Sequence, residues 1–110
     1  MNRLYLIGNL TADPVQAVTP SGQSVCTFSL AVNAPGGRNA EGKDNVTFFR
    51  CAVWGEQGQN CARFLRKGSK VFVRGEVRAS VYRGRDGNAR ASLEVSCREC
   101  EFLSGQEANS

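Results

Sequence analysis

Residues 70–83, Lys-Val-Phe-Val-Arg-Gly-Glu-Val-Arg-Ala-Ser-Val-Tyr-Arg, alternate in a way that a strand satisfies and a helix does not. Val71, Val73, Val77, Ala79 and Val81 take one face, while Phe72, Arg74, Arg78 and Tyr82 take the other. Gly75 lets so long a strand bend, as a small closed barrel requires. Residues 47–54, Thr-Phe-Phe-Arg-Cys-Ala-Val-Trp, repeat the pattern. There Phe49, Cys51 and Val53 suit a core, and Phe48, Arg50, Ala52 and Trp54 lay two aromatic rings and a guanidinium along the opposite face. Aromatics interleaved with cations suit unpaired nucleic-acid bases, which stack on rings while their phosphates seek positive charge. A strand packed on both faces of a sandwich would alternate similarly, so this stretch alone leaves two readings open.

Charge narrows the choice. Residues 63–90 hold nine Lys or Arg against Glu76 and Asp86, a local excess that fits a polyanion track better than general solubility. With 110 residues the chain is most simply one domain and buries enough surface to fold without staples. Cys26, Cys51, Cys61, Cys97 and Cys100 form an odd set with no secretory signal ahead of them, which points to a reducing cytoplasm and to small core residues. No metal or other cofactor is expected: Cys97-x-x-Cys100 has no second pair at ligand spacing, there is no histidine, and positions 97 and 100 of one regular strand face opposite ways. No apolar run approaches the roughly 20 residues that span a bilayer. An enzyme is not expected either, since histidine is missing and Asp13, Asp44, Glu56, Asp86 and Glu94 share no motif.

Along the chain, residues 3–10 read as an apolar strand interrupted by Gly8, and Val15 to Val18 as at most a short strand between two turns. From Val25 to Val32, Cys26, Phe28, Leu30 and Val32 alternate inward against Thr27 and Ser29. Residues 33–45, without a hydrophobic period and with three glycines, read as a loop between strands, where Arg38 and Lys43 would fold over a bound strand. Glu56 to Lys67 reads as a short helix: Cys61, Phe64 and Leu65 face the core, Arg66 and Lys67 complement the C-terminal dipole, and Gly68 is the C′ residue. Asp86-Gly87 marks a hairpin turn flanked by Arg83, Arg85 and Arg90, with Leu93 and Val95 inward on the return strand.

The resulting order of three strands, a helix and two strands is that of an OB-fold, an all-β five-stranded barrel that binds oligonucleotides across its second and third strands. Seven strings in order, Asn2 to Leu6, Gly8-Asn-Leu-Thr-Ala-Asp-Pro14, Phe28-Ser-Leu-Ala-Val-Asn33, Trp54-Gly55, Leu65-Arg-Lys-Gly-Ser69, Val71-x-Val-x-Gly75 and Asp86-Gly87, resemble the bacterial single-stranded DNA-binding proteins over residues 1–103. Residues 104–110 are then a short polar tail.

The resemblance implies a cytoplasmic, nucleoid-associated homotetramer that coats and protects single-stranded DNA in replication, recombination and repair. Carried over by position, Phe48, Trp54 and Tyr82 match the family's stacking aromatics, and Phe72 sits where such proteins often carry another. Arg50, Arg74, Arg78, Arg83, Arg85 and Arg90 would follow the phosphates. Where many relatives place an aromatic after the second strand this chain has Arg38, and where the family ends in an acidic tip finishing in Pro-Phe it ends at Ser110, so recruitment of repair or replication proteins through such a tip is not expected. Phe49, facing away from the bases, suits either core or subunit contact. Two rival binding modes share the fold: an RNA-binding OB module, because stacking and basic charge do not distinguish ribose from deoxyribose, and a primosome-type adapter whose aromatic face docks a protein.

Overall fold

Alternating apolar residues become strands when each finds a neighbour for its backbone, and in a computed structural model describing residues 3–38 and 44–103 these neighbours form one continuous ring. The elements are β1 (Leu4–Leu10), β2 (Val15–Val18), β3 (Ser24–Arg38), β4 (Asp44–Trp54), α1 (Gly55–Phe64), β5 (Lys70–Arg83) and β6 (Ala89–Phe102). The order β1-β5-β6-β4-β3 returns to β1 through Asn9↔Ala31 and Leu10↔Leu30, while the short β2 hangs on β3. β4 and β6 run parallel; the other pairs are antiparallel. These five ring strands, with α1 between the third and fourth, are the OB-fold arrangement.

Inward positions of each ring strand meet in one core: Leu6 and Leu10, Cys26, Phe28 and Leu30, Cys51 and Val53, Val71 and Val73, Val95 and Cys97. Cys61 of α1 and Leu65 beyond it close one end, and Phe49 packs partly buried against the same core. Burial pushes the Cys26 thiol up to about 11. A hydrogen bond with Cys97, reinforced by burial, pushes the Cys51 thiol up as well. All five cysteines are free.

β5 bends where expected. A Cβ on Gly75 would stand 2.2 Å from the Ser96 carbonyl oxygen and 2.9 Å from the Cys97 Cα, so β6 crosses there at a distance that only glycine permits. Opposite it the register shifts: Arg74 pairs with Glu99 and Gly75 with Cys97, leaving Arg98 as the bulged residue. This bulge corrects one expectation. It reverses the parity of β6, so Cys97 and Cys100 both pack on the core side instead of facing opposite ways.

Three other expectations change. Residues 33–45 are not simply a loop: β3 and β4 remain paired through Asn33↔Val46 and meet again at Arg38↔Asp44, because backbone pairing extends an arm without needing a hydrophobic period. Ala79 and Val81 do not face the core; Val81 is 74% exposed, since β5 and β6 beyond the Arg78–Glu94 pair continue as a two-stranded arm outside the ring. The helix stops at Phe64, where Leu65 turns extended (ψ 150°) and drops into the core, leaving Phe64 59% exposed against Phe102 at 6.4 Å between ring centroids. Gly68 (φ +90°) therefore serves a separate turn closed by Ser69 N–H donating to the Arg66 carbonyl, not the helix C-terminus. Arg66 does complement the helix end, its guanidinium donating to the carbonyls of Ala62, Arg63 and Leu65.

Two of the strings quoted above are bound together here. The Asn9 amide donates to the Gly68 carbonyl at 3.0 Å, the Leu10 backbone exchanges bonds with Gly68 and Ser69, and Asp13 accepts from the Lys67 N–H at 2.8 Å. Their side chains thus hold one end of the ring shut.

Candidate nucleic-acid interface

The pairing of β4 decides which side chains stand clear. Phe48 lies opposite Ala31 and Arg50 opposite Ser29, so these two outward residues of β4 have small neighbours on β3, while Trp54 lies opposite Val25. On the other side, β6 brings Glu94 beside Arg50 and Ser96 beside Ala52. Phe48 is 59% and Trp54 44% exposed, with no aromatic partner among the described residues.

Two adjoining clefts follow this strand and share Thr27 and Arg50. The first, about 620 Å³, is lined by Arg50, Trp54, Glu76, Arg78, Glu94 and Ser96 among others. The second, about 720 Å³, contains Phe48, Arg50 and Tyr82 with Ser29, Val46 and Ser92. Together they form an open trough across β3, β4, β6 and the outer half of β5. Five of the residues singled out from the sequence, Phe48, Arg50, Trp54, Arg78 and Tyr82, meet in it. Tyr82 is 53% exposed because its half of β5 belongs to the projecting arm.

Other candidates stand elsewhere. Phe72 lies on the outer face of the β1–β5 pair, stacked on Tyr5 with centroids 6.1 Å apart and planes 12° from parallel. Arg74 Nε contacts Glu99 Oε1 at 3.2 Å and lines a separate cleft with Arg3 and Arg98. Arg98 in turn contacts Glu76 at 3.1 Å. Arg83 and Arg85 sit at the tip of the β5–β6 hairpin, where the Arg83 guanidinium donates to the Gly87 carbonyl. That tip turns at Asp86-Gly87 as expected, with Gly87 at φ +83° and Asp86 accepting from the Asn88 N–H at 3.0 Å. Arg90 pairs through its backbone with Tyr82 and Arg38 through its backbone with Asp44, and Lys43 lies outside the described residues.

Sequence reasoning missed the residues that β3 and β6 add to the trough: Thr27, Ser29, Ser92, Glu94 and Ser96. The parallel β4–β6 pairing that brings Glu94 and Ser96 there leaves no local signal, because its partners lie far apart in the chain. The linear excess of basic residues is also diluted in space. β6 sets Glu94, Glu99 and Glu101 against Arg78, Arg74 and Phe72 of β5.

What remains is a solvent-open trough with three separate rings and two arginines. It can accept flat rings against its aromatics and anions beside its guanidinium groups. No helix among the described residues is long and apolar enough to cross a membrane.

Comparison with known proteins agrees with this geometry. Residues 1–103 match the model of the single-strand binding protein family. The chain is similar to single-stranded DNA-binding protein 3 of Listeria innocua, 40% identical over 107 residues, covering 97% of this chain and 66% of the relative. It is 40% identical to a single-stranded DNA-binding protein of Bacillus cereus over 103 residues, covering 94% of this chain and 60% of that one. Single-stranded DNA-binding protein 1 of Staphylococcus aureus is 39% identical over 108 residues, covering 98% and 64% respectively. The chain thus spans roughly three-fifths to two-thirds of the length of these curated relatives.

Proposed function

Since the chain belongs to the single-strand binding protein family, we propose that it binds and protects single-stranded DNA without regard to sequence, in replication, recombination and repair. The observation that carries this is the trough in which Phe48, Trp54 and Tyr82 stand exposed around Arg50 and Arg78. An unpaired base offers two open π-faces, so each stacking contact contributes about 1–3 kcal/mol whichever base is present. Duplex bases are already stacked and cannot enter. Each phosphate neutralised by an arginine releases counterions, making binding fall with salt. Arg83 and Arg85 at the hairpin tip extend this charge beyond the trough, and Arg90, Arg38 and Lys43 belong to the same proposal as further phosphate contacts. Binding and protection need no reaction, and none is proposed.

Assembly into a homotetramer belongs to the same proposal. Between Leu4 and Ile7, β1 pairs with β5 and with no other strand among the described residues, and beside that free edge Tyr5 and Ile7 stand exposed, with half-buried Phe72 stacked on Tyr5. A second copy suits such a surface.

A band shift on single-stranded and duplex DNA across salt, coupled to native mass, tests both parts. Expected are preferential retention of the single strand, weakening with salt, and a mass of four chains. Equal retention of duplex would reject the stacking account, and clear preference for matched RNA would move the assignment to an RNA-binding module.

A further inference from the structure

We propose that Glu94 is an internal competitor for nucleic-acid phosphate, a positioning residue that sets how firmly and how long the trough holds its ligand; this rests on the reading of the trough given above. The ring topology places Glu94 of β6 between two cations: it is in register with Arg50 of β4 on one side and with Arg78 of β5 on the other. All three line the same cleft as Trp54. Cross-strand neighbours of opposite charge attract, and at this position one carboxylate serves two guanidinium groups.

The rest of the outer surface shows what a settled ion pair looks like in this molecule. Arg74 is closed by Glu99 at 3.2 Å, and Arg98 by Glu76 at 3.1 Å. Glu76, the other carboxylate of the cleft, is thereby engaged by Arg98. Among the described residues, Glu94 forms no such close pair with Arg50 or Arg78. It offsets the repulsion between the two cations and leaves their donors open to an incoming anion. The same charge also repels that anion. A phosphate seated between Arg50 and Arg78 must sit over Glu94, so the attraction of the two arginines is opposed at the point where it is strongest.

The consequence is affinity held below what the cations alone would give, and a strand that can be released. One like charge across a groove of this width, seen largely through water, changes affinity by about three- to tenfold and is screened by salt.

The test compares the full chain with Glu94→Gln and Glu94→Asp, measuring equilibrium binding and dissociation of oligo-dT from low to high salt. Glu94→Gln is expected to bind about three- to tenfold more tightly at low salt, mainly by dissociating more slowly, with the gain shrinking as salt rises. Glu94→Asp, which keeps the charge, should match wild type. Glu94→Gln binding equally or more weakly, or a gain that salt does not diminish, overturns the role of Glu94 while leaving wild-type binding intact. Failure of the wild-type chain to bind oligo-dT overturns the reading of the trough, and this inference with it.

Discussion

The outer surface carries two aromatic groups of similar size, and the charges around them differ. In the trough, Phe48, Trp54 and Tyr82 stand apart from one another beside Arg50 and Arg78. On the β1–β5 face, Tyr5 and Phe72 already stack on each other, Arg74 is bound to Glu99, and Phe72 pairs across strands with Glu101. The first set offers vacant ring faces and available cations, which suit bases and phosphates. The second offers a satisfied apolar surface among neutralised charges, next to an open strand edge, which suits protein. Residue type alone therefore does not identify a nucleic-acid surface. The charges and rings on neighbouring strands are what set these two surfaces apart.

The sharpest way to break this contrast is to remove each set in turn. Substituting Phe48, Trp54 and Tyr82 together by alanine is expected to weaken oligo-dT binding by at least about a hundredfold, given roughly 1–3 kcal/mol per stacked base. Replacing Tyr5 and Phe72 by alanine should instead lower the native mass while each subunit keeps its trough. Fluorescence titration and sedimentation on both variants decide the matter; a reversed pattern would exchange the two roles.

Gly75 divides the regions on β5, with Phe72 and Arg74 before it and Arg78 and Tyr82 after it. Gly75→Ala forces a methyl group into the β6 backbone, and a stability loss of roughly 1–3 kcal/mol is expected in urea melts. An unchanged melt would show that the two halves of β5 are less rigidly coupled than the close crossing implies.

The smallest effect separates the arginines. Arg50→Gln should reduce the slope of log K against log salt by about 0.7, the loss of one phosphate contact on a single strand. Arg74→Gln should leave that slope nearly unchanged, because Arg74 is engaged by Glu99. Equal changes would place the phosphate path over both surfaces.

Much of this was legible in the sequence wherever strand alternation met a complete core. Cys26, Phe28, Leu30, Cys51, Val53, Val71 and Val73 all point inward as their parity requires. Parity misled where its physical basis ended. Val81 continues the apolar face of β5 but lies beyond the ring, where there is no core to face. Cys100 changes sides because Arg98 is bulged, a shift visible only from the partner strand. Phe64 and Leu65 both fit the helical period, yet the early end of α1 gives the core to Leu65. For the trough, β4 and β5 announced their aromatics through alternation, while Glu94 and the pairing of Arg74 depended on long-range register.

The bonds joining Asn9 to Gly68 and Asp13 to Lys67 bridge 59 and 54 positions of chain. During synthesis at about 5–20 residues per second, the partners of the first strand emerge roughly 3–12 seconds after it. Through that interval β1 has neither its latch nor β5, and Tyr5 and Ile7 lie on the half of the strand that β3 does not pair. Birth is thus the moment at which this chain is most open to wrong partners, and the arrival of residues 70–75, the stretch of β5 that pairs with β1, is the event that ends it.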